Sequence, residues 1–207
     1  MTVDMGDRAL LVLAVLCLAA FACLLIKVRK GQAMRIDELG YSLFVEHLRS
    51  PALTVVMRAV SNLASAPFIV GVLVAAFLWA PCRPQVVWAA VNVGVVSAID
   101  QLLKALVRRS RPEGFRLVEA PGLSFPSGHS MAAMAFYGYL IWSMQGGTCG
   151  FLPSLVVEAG LVFLILAVGV SRVYLGVHYA SDVLGGFCLA FAWLVLFVRW
   201  GLGFWGL

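Results

Sequence analysis

Charge is what this sequence has least of. Asp, Glu, Lys and Arg together make up 12% of its 207 residues, about half the share carried by an ordinary soluble domain. So few charges cannot cover a water-facing surface, which excludes a soluble, secreted or disordered chain. Histidine is scarce too, at three residues, and the five cysteines show no metal-ligand spacing. Cys17, Cys23 and Cys188 lie in apolar stretches, where a thiol behaves as a small hydrophobe, while Cys82 and Cys149 lie in short connections. Neither a disulfide nor a metal role is expected of them. Internal repeats and low-complexity segments are also missing. The formal charge is +5, but the basic residues stand at the ends of apolar segments, where membrane proteins keep them. The excess is therefore no nucleic-acid footprint.

What the chain has in abundance is apolar surface, with 62% hydrophobic residues and a mean hydropathy of +0.98. About 20 such residues cross the hydrocarbon core as a helix. Six segments qualify, some only with their flanks: about 9–26, 63–80, 86–107, 129–145, 151–170 and 183–200. They must be helical, because an unpaired peptide group in lipid costs several kcal/mol. The first continues past the small-residue site Ala20-Phe21-Ala22 and follows an acidic, not basic, start, so it reads as a span and not a cleaved signal. The expected fold is all-α, a polytopic membrane protein with six transmembrane helices in one domain, 1–207. Between the first two spans, Leu39, Leu43, Phe44, Val45 and Leu48 recur among Asp37, Glu38, Glu46 and Arg49. That pattern predicts one or two interfacial helices over 27–62, broken at Pro51.

Six spans put both termini on one side and the connections 27–62, 108–128 and 171–182 on the other. Trp79, Trp88, Trp142, Trp200 and Trp205 fall near span ends on the terminal side, as half of an aromatic belt does. Three polar clusters gather on the opposite face: Lys104 to Pro112, Pro126 to His129, and Ser171 to Asp182. Charge at a bilayer is expensive and marks function.

Each cluster suggests its chemistry. Residues seven apart share a helix face, so Lys104 and Arg111 present a point charge and a planar fork together, as a phosphoryl group needs. Pro112 disfavours helical geometry at Arg111 and puts that residue at the span's mouth. Arg108, Arg109 and Arg116 read as contacts to lipid headgroups. Ser127-Gly128-His129 opens a helix: glycine lets the backbone approach a ligand, free N–H groups suit an anion, and His129 is placed to move a proton. With a helix beginning near His178, Asp182 four residues on can bond one imidazole nitrogen and leave the other free as nucleophile or base. Asp100 is expected to pair with Lys104, and Glu158 to snorkel or hydrogen-bond inside the bundle.

Lys104-x6-Arg111-Pro112, Pro126-Ser127-Gly128-His129 and Ser171-Arg172-x5-His178-x3-Asp182 resemble the three-part signature of the type 2 phosphatidic acid phosphatase (PAP2) superfamily. All of its fixed positions are present over residues about 100–190. The resemblance implies a lipid phosphatase or diphosphatase that needs neither metal nor other cofactor. His178 would attack phosphorus to give a phosphohistidine, Asp182 would orient it, and His129 would protonate the leaving oxygen. Lys104, Arg111, Arg172, Ser127 and the Gly128 N–H would hold the equatorial oxygens. The implied partners are a lipid phosphate and the bilayer, with no nucleic acid and no obligate protein. Undecaprenyl diphosphate or a glycerophospholipid phosphate is the expected substrate. A lipid A phosphatase, a phosphotransferase and a non-catalytic lipid-phosphate binder are the alternatives. Members with this layout usually sit in the bacterial inner membrane with the site facing outward. The Lys/Arg distribution argues the reverse: only Arg8, Arg83 and Arg199 lie on the terminal side.

Overall fold

The computed structural model describes residues 5–145 and 155–202, and among them every regular element is helical. Helix α1 runs Met5–Arg29, α2 Arg35–Tyr41, α3 Pro51–Asn62 and α4 Ala66–Trp79. They are followed by α5 Arg83–Val107, α6 Gly128–Gln145, α7 Leu155–Tyr174 and α8 Ala180–Leu196. Helix α2 continues through a π-helical turn, Ser42–His47, and α8 ends in another, Phe197–Leu202.

Among the described residues four helices are long and apolar enough to cross a membrane: α1, α5, α7, and α8 with its extension to Arg199. Helix α4 has only 14 residues, about 21 Å of rise. It reaches spanning length only together with α3, to which it stands bent by 50°. The expected fourth segment is helix α6, whose Ser130, Tyr137, Tyr139 and Ser143 are buried in the bundle. It packs between α5, α7 and α8, so its side chains meet protein where an outer helix meets lipid. The outer helices show the opposite pattern. Val15 and Leu16 of α1, Leu106 of α5 and Phe163 of α7 are exposed, which no water-soluble surface tolerates over so wide an area. The molecule is an integral membrane protein.

Segment 27–62 is largely helical, and a new helix starts at Pro51. Ser50 caps α3, accepting from Leu53 N, and Pro51 occupies the first helical position, where its missing N–H costs nothing. This segment is tied to the end of α7: Arg49 donates from Nε and Nη2 to Tyr174 O at 3.1 and 2.8 Å. The buried Tyr174 hydroxyl accepts from Ser50 N at 3.0 Å. A cation on the terminal carbonyls of α7 opposes the helix dipole and leaves no carbonyl stranded.

Two expectations need correction. Cys82 is disulfide-bonded, while Cys17, Cys23 and Cys188 are free thiols and Cys149 lies outside the described residues. Sequence spacing alone does not reveal a disulfide. The tryptophans are also not simply a belt. Trp79 is exposed, but Trp88 and Trp142 pack inward with Trp193 around Tyr139 and Phe197; Trp200 and Trp205 fall outside the described side chains.

Candidate functional site

The first polar cluster converges by a different route from the one its spacing suggested. Helix α5 ends at Val107, and Arg108 takes a left-handed conformation (φ 56°) that turns the chain out of the helix. Lys104 and Arg111 therefore do not share a helix face; Arg111 returns to the site from the following loop. Its Nη1 donates to Val177 O at 2.9 Å and to His178 Nε2 at 3.0 Å, and its Nε to Gly122 O at 3.2 Å. Lys104 stays on the last turn of α5 and pairs with Asp100 at 2.6 Å, as expected for an acid four residues before it.

The second cluster stands directly on that ion pair. A Cβ at Gly128 would lie 2.8 Å from Asp100 Oδ2 and 3.2 Å from Lys104 Nζ. Only glycine lets the start of α6 sit so close. Ser127 is fully buried. Its backbone N–H donates to Asp182 O at 3.0 Å, and its Oγ accepts from Ser130 Oγ at 2.9 Å. His129 lies within electrostatic reach of Arg172, His178, Lys104 and Arg111, so one imidazole faces residues of the other two clusters.

The third cluster supplies two side chains with bonding capacity to spare. Arg172, in the last turn of α7, donates from Nη1 to Ser61 Oγ of α3. Its buried Nε meets no acceptor among the described residues. His178 belongs to the turn between α7 and α8; α8 begins at Ala180 with Tyr179 as its N-cap. The expected helical pair is thus made across a cap. Asp182 reaches back from the first turn of α8, and its Oδ2 accepts from Tyr179 N at 2.9 Å. The same oxygen lies 3.4 Å from His178 Nδ1, too far for a good hydrogen bond, and Nδ1 has no other partner among the described residues. Because Nε2 accepts from Arg111, the ring proton belongs on Nδ1, facing the carboxylate. Burial pushes the His178 pKa down to about 4, against the opposing pull of Asp182, so the imidazole is neutral at neutral pH.

Residues outside the signature complete the arrangement. Arg108 is exposed, which suits a headgroup contact. Arg116 instead steadies the loop, donating to Pro112 O at 2.6 Å. Arg109 departs most from expectation: it is part-buried, with ion pairs to Asp182 at 2.7 Å and Asp37 at 2.8 Å. Sequence reasoning placed none of Arg109, Asp37, Ser61 and Ser181 at the site. The available signals were an acidic pair, Asp37 and Glu38, on an amphipathic segment and a serine beside Asp182. Glu158 accepts from Gln145 at 3.2 Å, away from the site. A cavity of about 530 Å³ borders His178 and Tyr179, walled by Asp37 and Tyr41 on one side and by Pro112, Glu113 and Phe115 on the other.

Comparison with known proteins agrees with this geometry. The family model described as "PAP2 superfamily" matches residues 55–205. Phosphatidylglycerophosphatase B of Bacillus subtilis is 33% identical over 151 residues, covering 69% of this chain and 72% of the Bacillus protein. Decaprenylphosphoryl-5-phosphoribose phosphatase of Mycobacterium tuberculosis is 37% identical over 108 residues, or 49% of this chain and 54% of that protein. Among solved structures, the transmembrane PAP2-type phosphatidylglycerolphosphate phosphatase from Bacillus subtilis superposes with a TM-score of 0.75 at 28% identity. That match covers 90% of this chain and 96% of the other. Aquifex aeolicus LpxE gives a TM-score of 0.66 at 21% identity over 79% of this chain and 94% of its own, a likeness of fold. A match over most of the length, with the signature residues gathered on one face, leaves one assignment: the chain belongs to the PAP2 superfamily and is a membrane lipid-phosphate phosphatase.

Proposed function

We propose that the chain is a single six-span domain that hydrolyses a lipid phosphomonoester or diphosphate without metal, through a phosphohistidine. The observation that carries the reading is the meeting of Arg111, Arg172, His129 and Asp182 around one neutral, buried imidazole. In the resting site Arg111 occupies the lone pair of His178 Nε2. A phosphoryl dianion is the stronger acceptor for a guanidinium, so an arriving substrate draws Arg111 onto its oxygens and releases Nε2. The free Nε of Arg172, with Lys104, Ser127 Oγ and the Gly128 N–H, completes a set of donors for the equatorial oxygens. Such donors, fixed before the reaction, stabilise charge that spreads over those oxygens in the transition state. The Nε2–P bond forms as the bond from phosphorus to the lipid oxygen breaks, and that oxygen takes its proton from His129. Water then attacks phosphorus, giving a proton to His129, and Nε2 leaves with its electron pair. Asp182 faces the Nδ1–H throughout and balances the positive charge that the ring gains.

The donors at the site read phosphate and not the lipid tail, so substrate identity rests on the relatives. The Bacillus likeness favours a glycerophospholipid monophosphate, phosphatidylglycerophosphate before undecaprenyl diphosphate. Helix α2 lies in the interface, α3 and α4 together make the second span, and α6 crosses as the inner span. No obligate protein partner is required. The site faces outward from a bacterial inner membrane, following the layout of the family. The Lys/Arg excess on the site's face and the disulfide of Cys82 at the opposite end both argue the reverse. Labelling of Glu119→Cys in a variant without native cysteines decides between them. Reaction in intact cells supports the outward placement, and reaction only after permeabilisation overturns it. The main test is phosphate release by purified protein in EDTA from phosphatidylglycerophosphate, phosphatidic acid and a polyprenyl diphosphate, with an alkaline denaturing quench to trap labelled protein. An acid-labile, base-stable phosphoenzyme on His178 supports the mechanism. A strict divalent-metal requirement overturns it.

A further inference from the structure

Outside the signature, Arg109 and Asp37 build a second charged chain that ends on the site. The Arg109 guanidinium donates from Nη1 to Asp182 Oδ1 and to Ser181 Oγ, each at 2.7 Å, and from Nη2 to Asp37 Oδ2 at 2.8 Å. Its plane lies 4.0 Å over the Tyr179 ring. Asp37 comes from α2, far away in sequence, and accepts from Ser181 N at 2.8 Å and Ser181 Oγ at 2.9 Å. It thereby satisfies a free N–H in the first turn of α8. The approach is close because position 40 is glycine: a Cβ there would stand 3.0 Å from the Ala180 Cβ. Asp182 is fully buried, and the side chains of Arg109 and Asp37 are 17% and 11% exposed. Charges this enclosed are felt strongly by their neighbours.

We propose that Arg109 and Asp37 are positioning residues that set how much of the Asp182 charge reaches His178, so that the seating of α2 tunes the nucleophile. The inference rests on His178 being the nucleophile. The physical reason is a charge count along one line. Asp182 divides its negative charge between Arg109, at 2.7 Å, and the Nδ1–H of His178, at 3.4 Å. Asp37 draws Arg109 the other way and so returns part of that charge to the ring. The remaining charged or titratable groups facing His178 are Arg111 from the loop, Arg172 from α7 and His129 from α6. Glu38, Glu46 and Glu113, with the Tyr41 and Tyr179 rings, wall the cavity beside it. None of these changes in the variants below.

The two ends of the chain should therefore move the ring in opposite directions. Arg109→Gln removes a positive charge behind Asp182, makes protonated His178 easier to form, and moves the acid limb of kcat/KM to higher pH. Asp37→Asn leaves Arg109 wholly on Asp182 and moves the limb to lower pH. Opposite charges in contact shift a pKa by 1–3 units; acting through one intervening carboxylate, each change is expected to shift the limb by about half to one unit. The double variant should fall back near wild type, as should Arg109→Lys and Asp37→Glu, which keep the charge. The measurement is hydrolysis of an aryl phosphate against pH by purified full-length variants, with His178→Ala alongside. Substrate ionisation is common to every curve, so displacements between curves report the protein. Opposed shifts that cancel in the double variant support the proposal. Coincident limbs, or shifts of one sign, overturn it while leaving the phosphatase reading intact. Turnover that survives in His178→Ala overturns the reading beneath it. Should Arg109→Gln not fold, Asp37→Asn against Asp37→Glu carries the same test: a limb that stays put in Asp37→Asn defeats the proposal.

Discussion

The two ends of this bundle are held by different means. At the end carrying the site, Lys104, Asp100, Arg109, Asp37, Asp182 and Arg172 are buried or half-buried and linked by ion pairs and short hydrogen bonds. At the other end Tyr139, Trp88, Trp142, Trp193 and Phe197 pack ring against ring. Nearby, Asn92 forms a buried polar link, donating to Ala135 O and accepting from Trp193 Nε1, each at 2.9 Å. Aromatic packing at one end tolerates loss piece by piece. A charged network does not, because each member removed leaves another charge without its partner. Substitutions at the charged end should therefore alter chemistry, and those at the aromatic end should alter stability alone.

The largest effect belongs to His178. His178→Ala removes the proposed nucleophile, so hydrolysis should fall to background and no acid-labile phosphoenzyme should be trapped from labelled substrate. A trapped phosphoenzyme in that variant would erase the proposed division between the two ends. Next comes His129→Ala, where loss should depend on the leaving group. An alkoxide needs a proton as it departs, and general acid catalysis contributes roughly 10²–10⁴-fold. An aryl phosphate or a diphosphate leaves more readily and should lose much less. The check is turnover of the variant on phosphatidic acid and on an aryl phosphate; equal losses on both would remove His129 from the role of acid.

What could be read in advance follows the same division. The spans were legible because lipid imposes a simple rule on twenty-residue segments, and α1, α5, α7 and α8 follow it. Helix α6 is less apolar because it faces protein, and α4 needs α3 because it is short; both depend on neighbours that a sequence window does not contain. The signature residues were legible as a set, but their geometry was not. Arg111 reaches His178 through a left-handed turn at Arg108, and Asp182 meets His178 across the cap at Tyr179. The roles of Arg109 and Asp37 were hidden because 72 residues separate them, and an arginine next to a membrane boundary has a simpler reading.

A smaller effect comes from pH. As the proposed nucleophile His178 must be neutral, and burial pushes its pKa down to about 4, below the ordinary 6.5. Protonation inactivates, so activity should persist as pH falls through 6.5 and decline only toward 4, close to tenfold per unit below that. The readout is kcat/KM from pH 3.5 to 8, with the separately measured phosphate ionisation of the substrate taken out. An enzyme limb at 6.5 would mean that the charged end does not shield its imidazole.

The smallest effect is expected at the aromatic end. Asn92→Leu keeps the branched shape of the side chain and leaves the Trp193 Nε1–H without its acceptor, while Trp193→Phe leaves Asn92 Oδ1 without its donor. Side-chain hydrogen bonds inside membrane proteins average about 0.6 kcal/mol and reach about 1.7, so each variant should lose about 1 kcal/mol of unfolding free energy in detergent. The double variant removes both partners and should lose less than the sum, which a double-mutant cycle reads directly. Throughout, kcat on an aryl phosphate should stay within about twofold of wild type, because Asn92 lies on the far side of the bundle from Lys104 and on the same helix. Two turns of α5 separate Asn92 from Asp100, and no charge crosses that distance. A variant here that lowered kcat tenfold with its stability intact would show that the two ends are coupled through α5, and the comparison between them would have to be redrawn.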